Sequence, residues 1–152
     1  MFGKTALLLS AGHGRCDCMR VLIDGGADKN ALDSEGRTAL IWTLALGHIE
    51  CMRLLLEVGC DTEVFSNQGQ TALMTASQRG FADCVDLLLE NGADKEAQNG
   101  DGFTALVLAA QASHTDCTRL LLKAGANKHV VCNIGQTALM FLRGTGLDDV
   151  PE

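Results

Sequence analysis

Cysteine and histidine are the side chains of this sequence that could do chemistry, and they form two His-x-x-Cys motifs. His48 lies three residues before Cys51, and His114 lies three residues before Cys117. A metal site needs about four converging ligands, and a catalytic cysteine needs an exposed, electropositive setting. Because both cysteines fall on the buried face of a helix, we interpret the two motifs as structural and predict no metal site.

The other candidate residues give no stronger case for catalysis. The segment Cys16-Asp17-Cys18 follows His13 closely, but it lacks a full set of ligands as well. The sequence contains no Gly-x-Gly-x-x-Gly motif, phosphate-binding loop or paired-carboxylate site. We therefore predict a protein that is not an enzyme and has no cofactor.

Four of the seven cysteines share a single spacing of 33 residues: Cys18, Cys51, Cys84 and Cys117. Equivalent Cα atoms of stacked helical layers lie about 10 Å apart, whereas a disulfide needs less than about 7 Å. The spacing therefore predicts four buried free thiols and a reducing compartment. Three cysteines outside this series are candidates for exposed thiols, which keeps a thiol redox sensor as an alternative function: Cys16, Cys60 and Cys132.

The element that positions these residues is a repeated phrase, Gly-x-Thr-Ala-Leu. It begins at Gly3, Gly36, Gly69, Gly102 and Gly135, always 33 residues apart. A fixed period of this length indicates a stacked array of supersecondary units. We divide the single predicted domain, residues 1–152, into repeats at 1–32, 33–65, 66–98 and 99–131 and a partial repeat at 132–152.

Each repeat predicts two short helices. In the second repeat the Thr38 hydroxyl caps a helix at about 39–46, which Gly47 ends. A second helix at about 50–58 carries apolar residues at the i, i+3, i+4 spacing of a buried face, and Gly59 ends it in the left-handed conformation. The predicted fold class is therefore all-α, with helix-turn-helix units joined by hairpin loops.

These motifs resemble the ankyrin-repeat family. Gly-Ala-Asp stands at Gly26–Asp28 and Gly92–Asp94, and Gly47-His48 follows the first helix of the second repeat, as is usual in that family. The resemblance implies an ankyrin-repeat solenoid of about four and a half repeats. It also implies a non-catalytic scaffold for protein–protein interaction, which holds a partner in a concave groove lined by hairpin tips and first helices.

Within that groove, specificity is expected where the repeats differ. The residue between the glycine and threonine of the phrase is polar in four repeats and is Phe103 in the fourth, which makes Phe103 a candidate anchor. Trp42 aligns with mostly apolar residues, and we interpret it as part of the core. The predicted partner-binding residues are Arg37, Leu46, Gln70, Gln78, Arg79, Asp101, Phe103 and Ile134.

Charge restricts the class of partner. The formal net charge is −7 and the 12 basic residues are scattered, which argues against nucleic acid as a ligand. No apolar stretch is long enough to span a membrane. We expect a monomer in the cytoplasm, with the nucleus as a second location, that binds a protein with a basic patch. The alternative to a complete scaffold is a structural segment of a larger multidomain ankyrin protein.

Overall fold

The computed structural model describes residues 5–143, and this part of the chain contains α-helices and no strands. The chain divides into two compact units, Met1–Ala72 and Leu73–Glu152. The helices of the first three repeats are α1 (Ala6–Gly12), α2 (Cys16–Asp24), α3 (Ala39–Leu46), α4 (Ile49–Glu57), α5 (Ala72–Arg79) and α6 (Ala82–Glu90). Those of the last two are α7 (Ala105–Gln111), α8 (Thr115–Lys123) and α9 (Ala138–Leu142).

Helices α1 to α8 form four successive pairs along the chain, and α9 follows them. Odd-numbered helices are the first helices of their repeats and even-numbered helices are the second ones. Hairpin loops at 25–38, 58–71, 91–104 and 124–137 join one repeat to the next. The end of the partial repeat, 144–152, lies outside the described residues. Organisation of the whole chain as one domain stays a prediction.

Threonine caps begin the first helices, as predicted. The hydroxyl oxygens of Thr5 and Thr38 accept hydrogen bonds at 3.3 Å from backbone amides of the first turn. Thr104 does the same at 3.4 Å in the second unit. Each bond satisfies an amide that has no partner inside its helix, which is typically worth about 1 kcal/mol. The recurring threonine of the phrase therefore fixes where α1, α3 and α7 begin, whereas Thr137 precedes α9 without a side-chain cap bond.

The core of each unit lies between first and second helices. In the first unit, Leu40 and Leu44 of α3 and Leu55 of α4 are at most 1% exposed. In the second unit, Leu106 of α7 and Leu121 of α8 are completely buried. The predicted buried face of α4 is confirmed, because its leucines and Cys51 all lie in the core. A rigid core of this kind supports the loops and exposed helix faces around it.

The predicted series of four buried free thiols is wrong for its first two members. Cys84 and Cys117 are buried, and neither is part of a disulfide. Cys51 is buried too, but it forms a disulfide with Cys16 of α2, with the two Cα atoms 4.9 Å apart. Cys18 is exposed, because its slot faces a preceding repeat and no helix precedes α1 in the described residues. The cytoplasmic location was inferred from four buried free thiols. Because one of them forms a disulfide and another is exposed, the location stays a prediction.

Candidate functional site

In the first unit, one side chain at the start of each hairpin turn orders the loop that follows. Oδ1 of Asp33 accepts hydrogen bonds from the amides of Glu35 and Arg37 at 2.8 and 2.9 Å. In the next hairpin, Oγ of Ser66 accepts from the amide of Gln70 at 3.2 Å. These bonds close the turn on itself. They therefore fix the backbone at Arg37 and Gln70, two of the predicted binding residues.

The hairpins of the second unit use the same slot with other residues. Oδ1 of Asn99 accepts from the amides of Asp101 and Phe103 at 3.0 and 2.9 Å. The slot is occupied by Cys132 in the last hairpin, where the Cys132 amide donates to the Gln136 carbonyl at 2.9 Å. Cys132 is only 2% exposed. The expectation of an exposed thiol there is wrong, because this slot points into the turn.

Successive hairpins within a unit are also joined to each other. The Asn67 amide donates to the Glu35 carbonyl at 2.8 Å, and the Asn67 side-chain Nδ2 donates to the Ser34 carbonyl at 3.1 Å. Asn133 makes the corresponding two bonds to the hairpin at 91–104 in the second unit. The hairpins of each unit are therefore held in a fixed relation before any partner binds.

A cluster of charged and aromatic side chains packs beneath the first of these hairpins. Oδ2 of Asp33 accepts hydrogen bonds at 2.9 Å from the Arg37 guanidinium and from the indole Nε1 of Trp42. The Arg37 guanidinium lies 4.3 Å from the centre of the Trp42 ring and also contacts Glu35 at 3.0 Å. Trp42 is half-buried, so its assignment to the core is wrong. Its indole N–H needs a polar partner, which the edge of the core provides.

Asp33 is held in its ionised form by this cluster. Burial alone would raise the pKa of its carboxyl, but hydrogen bonds from the Arg37 amide and side chain, Trp42 and the Glu35 amide together lower it below 3.8. The ionised carboxylate therefore stabilises the folded state. Asp33 was missed in the sequence, although Asp-x-x-Gly before a helix cap is a typical turn signal.

We expect this carboxylate to make the first unit acid-sensitive. A lowered folded pKa means that its contribution is complete above the unfolded pKa of about 4 and is lost as the pH falls through the folded pKa. Urea unfolding between pH 7 and pH 2.5 would show this loss. An Asp33→Asn variant, which has no carboxylate to protonate, should lose less stability over that range. Equal losses in the two proteins would contradict the assignment.

The predicted binding residues are placed as follows. Exposed residues are Leu46 in the first unit and Gln78, Arg79, Asp101 and Ile134 in the second unit. Half-buried residues are Arg37 and Gln70 in the first unit and Phe103 in the second unit. Phe103 is thus less accessible than an anchor residue would be. The Arg37 guanidinium already forms ion pairs with the carboxylates of Asp33 and Glu35. That all eight residues form one groove stays a prediction.

Other exposed apolar side chains on the hairpins were missed. Leu32 is 49% exposed and Phe65 is 48% exposed in the first unit, and Val131 is 60% exposed in the second unit. These residues are spaced by multiples of 33 and occupy the same slot, directly before the residue that orders the turn. Apolar residues recurring in a loop were the signal that could have revealed them.

The two histidines of the His-x-x-Cys motifs have structural roles, as predicted. Nε2 of His48 lies 3.3 Å from the Gly12 carbonyl, and Nε2 of His114 lies 3.1 Å from the Gln78 carbonyl. Each ring therefore bridges the start of a second helix to the end of a first helix in the preceding repeat. The bond of His114 also fixes the backbone of Gln78, a predicted binding residue.

The other cysteine and acidic residues do not form a metal site or a reactive thiol site in the described residues. Within residues 5–143, no three His, Cys, Asp or Glu side chains come together as ligands of a metal ion. Cys60 is half-buried, and burial raises the pKa of its thiol to about 11. At neutral pH it is therefore a protonated, unreactive thiol. As candidates for a redox sensor, Cys60 and Cys132 are both poorly suited.

The structure is that of a helical repeat protein, because pairs of short helices recur along the chain. The hairpins between the pairs have an ordered backbone and carry exposed side chains. A family model described as ankyrin repeats (3 copies) matches residues 7–99 and 94–142, and the chain belongs to the ankyrin-repeat family. The all-α ankyrin fold predicted from the sequence is thereby confirmed. Ankyrin repeats generally mediate protein–protein interactions and are typically non-catalytic scaffolds.

No curated protein matches the sequence closely enough to count as a relative. Among the described residues, no helix is both long and apolar enough to cross a membrane.

Proposed function

We propose that this protein is a non-catalytic scaffold that binds another protein through its hairpins and the exposed sides of its first helices. The observation that carries this proposal is the distribution of large exposed apolar side chains in the described residues. Seven of the eight lie on hairpins or first helices: Leu9, Leu32, Leu46, Phe65, Val131, Ile134 and Met140. Only Val21 lies on a second helix.

The exposed faces of the second helices have a different character. Their exposed residues in the first unit are mostly charged: Asp17, Arg20, Asp24, Glu50, Arg53 and Glu57. The second unit repeats this pattern with Asp83, Asp86, Glu90, Asp116, Arg119 and Lys123. Exposed apolar groups clustered on one kind of surface mark an interaction site, whereas charged faces remain solvated. The apolar hairpin side is therefore where a partner gains most by binding.

We assign the proposed surface separately in each unit. In the first unit it comprises Leu32, Arg37, Leu46, Phe65 and Gln70. In the second unit it comprises Gln78, Arg79, Asp101, Phe103, Val131 and Ile134. Phe65, with its ring about half exposed and its loop ordered by Ser66, takes the role of anchor that Phe103 was predicted to have.

Order in the hairpins supports tight binding. Besides the bonds of Asn67, the Asp61 amide donates to Oδ1 of Asn30 at 2.9 Å, and Lys29 Nζ donates to the Val58 carbonyl. A surface that is already ordered loses little conformational entropy when a partner binds. The free energy gained by burying its apolar side chains is therefore largely retained as affinity.

The charge of the hairpins favours a basic partner. Exposed acidic residues lie on the hairpins of both units: Asp28, Glu35, Asp61, Glu63, Asp94 and Asp101. The whole chain has a formal net charge of −7. Complementary charge speeds association and excludes acidic competitors more than it raises affinity. We therefore propose a partner whose contact surface has apolar recesses surrounded by lysine and arginine.

We expect a Leu32→Ser, Phe65→Ser double variant to bind its partner at least about 100-fold more weakly, since each central anchor typically contributes a factor of ten or more. Partners would be captured from cell lysate, identified, purified and then measured by titration calorimetry. Association should also slow as salt is added. The matched control is Val21→Ser, which removes the exposed apolar residue of a second helix.

The result against the proposal is equal affinity of the double variant and the wild type. A loss of binding in Val21→Ser would instead place the contact on the second helices. Circular dichroism of all three proteins would establish that their helix content is the same before affinities are compared.

A further inference from the structure

The disulfide between Cys16 and Cys51 joins the second helices of the first two repeats. Cys16 begins α2, and Cys51 lies in the first turn of α4, 35 residues further along the chain. Their Cα atoms lie 4.9 Å apart, within the range that a disulfide spans without moving the backbone. We propose that these two cysteines are a redox-active pair, oxidised by a peroxide and reduced by a dithiol, that couples the first repeat to the second. This inference is independent of the proposed binding surface.

The pairing is specific to this step between repeats. Cys84 and Cys117 occupy the slot of Cys51 in later repeats. The residues 35 positions before them are Ile49 and Ala82, so neither thiol has a cysteine in the place of Cys16. Neither is part of a disulfide. The disulfide is therefore a property of the first two repeats and not of the repeated fold.

The two cysteines differ in how far they are buried. Cys51 is completely buried. Cys16 is half-buried and lines an open pocket of about 170 Å³, together with Asp17, Arg20, Glu50, Arg53, Leu54 and Glu57. Such a volume admits several molecules of the size of water or hydrogen peroxide. A small oxidant or the thiol of a reductant therefore reaches the sulfur of Cys16 first.

The oxidation is balanced with hydrogen peroxide as the oxidant. The Cys16 thiolate attacks one oxygen, the O–O bond breaks, and Cys16 sulfenic acid forms with release of hydroxide, which takes up a proton to give water. The Cys51 thiolate then attacks the sulfur of Cys16, the S–O bond breaks, and a second water leaves. The two thiols lose two electrons and two protons, and the peroxide becomes two waters.

Reduction follows the reverse order at the same sulfur. One thiolate of an external dithiol attacks Sγ of Cys16, and the Cys51 thiolate leaves. The second thiol of the reductant then attacks the mixed disulfide and releases Cys16. The pocket beside Cys16 carries charges of both signs, from Arg20 and Arg53 and from Asp17, Glu50 and Glu57. Arg20 lies 3.8 Å from Glu57.

Oxidation changes how firmly the first repeat is held. Without the disulfide, the polar links between these repeats include the His48 bond to Gly12 and the exposed Arg20–Glu57 ion pair, which contributes little. A crosslink across 35 residues removes much of the freedom of the opened state. In a repeat protein each unit is stabilised by its neighbours, so the effect stays local to α1 and α2.

The test uses the whole chain, oxidised with hydrogen peroxide and reduced with dithiothreitol. Peptide mass spectrometry without reduction should find a Cys16–Cys51 crosslink in the oxidised protein. Hydrogen exchange should show α1 and α2 protected about 30- to 1,000-fold better in the oxidised form, because a disulfide of this loop length typically has that effect. Exchange in α7 and α8 should not change.

Two serine variants make the test specific. Cys16→Ser should abolish both the crosslink and the dependence of exchange on oxidation, whereas Cys18→Ser, two residues away, should keep both. The comparison of oxidised and reduced forms can be made in Cys18→Ser alone, so it does not depend on how Cys16→Ser folds. A crosslink between other cysteines, or identical exchange in the two redox forms, would overturn the proposal.

Discussion

An Asp33→Ala variant is expected to lose about 2–4 kcal/mol of unfolding free energy, because several partly buried hydrogen-bond donors lose their shared acceptor. The Asp33 side chain is 1% exposed. Its carboxylate accepts hydrogen bonds from the backbone amides of Glu35 and Arg37, from the Arg37 guanidinium and from the Trp42 indole. Alanine leaves these donors without their acceptor in a partly buried place. Urea unfolding, followed by circular dichroism, measures the loss.

Two further variants separate the parts of this effect. Asp33→Asn should cost less, because Asn99 occupies the equivalent slot in the second unit and accepts the same two turn amides. Asp28→Ala is the matched control, since Asp28 is an exposed acid of the same hairpin whose Oδ1 accepts a hydrogen bond from the Asn30 amide at 2.9 Å. We expect Asp28→Ala to cost about 1 kcal/mol or less. If Asp33→Ala cost no more than Asp28→Ala, the cluster would not stabilise the unit.

The period of the sequence was enough to predict the helices and their caps. Thr38 and Gly59 recur at equivalent positions of the other repeats, so local physical chemistry determines their roles. The structure places a cap at Thr38 and a φ of +67° at Gly59. Burial of Cys51 and Leu55 followed from helical spacing in the same way. Helix caps, helix ends and buried faces recur in the repeats because the residues that form them recur in the sequence, and they can therefore be predicted from it.

Features that belong to one repeat were harder to predict. Comparing Cys18 with Cys51 assumed that equivalent slots meet, but the side chain at the start of one second helix lies against a residue in the first turn of the next, which pairs Cys16 with Cys51. Trp42 aligns with mostly apolar residues of the other repeats, which suggested a place in the core. Its indole N–H instead donates to Asp33 and its ring contacts the Arg37 guanidinium, so it lies at the edge of the core. Such contacts depend on offsets between repeats that a single period does not reveal.

The exposure of the candidate surface was predictable only in part. Leu46 and Ile134 are exposed, as expected for binding residues. Phe103 is half-buried, whereas Phe65, in a slot that the sequence comparison did not consider, is about half exposed. Both phenylalanines lie in hairpins, and only the folded loop determines which ring is covered. Variation between repeats indicates where specificity can lie but not which side chain is accessible.

Gly36→Ala is expected to lower the free energy of unfolding by about 2–4 kcal/mol, more than most glycine substitutions do. Gly36 has a φ of +70°, which costs alanine about 1 kcal/mol. A Cβ there would lie 2.6 Å from Oδ1 and 3.0 Å from the backbone nitrogen of Asn67. Asn67 would have to move, and its two hydrogen bonds to the preceding hairpin would weaken.

Gly26 offers a control that isolates this contact between hairpins. It has a φ of +88°, but a Cβ there would meet no atom within 4 Å, so Gly26→Ala should cost only the conformational term of about 1 kcal/mol. Urea unfolding of both variants gives the difference. Partner binding gives a second readout, because a displaced Asn67 hairpin also displaces Phe65, two residues before it. If Gly36→Ala and Gly26→Ala were equally stable and bound equally well, contact between the hairpins would not hold the proposed surface in place.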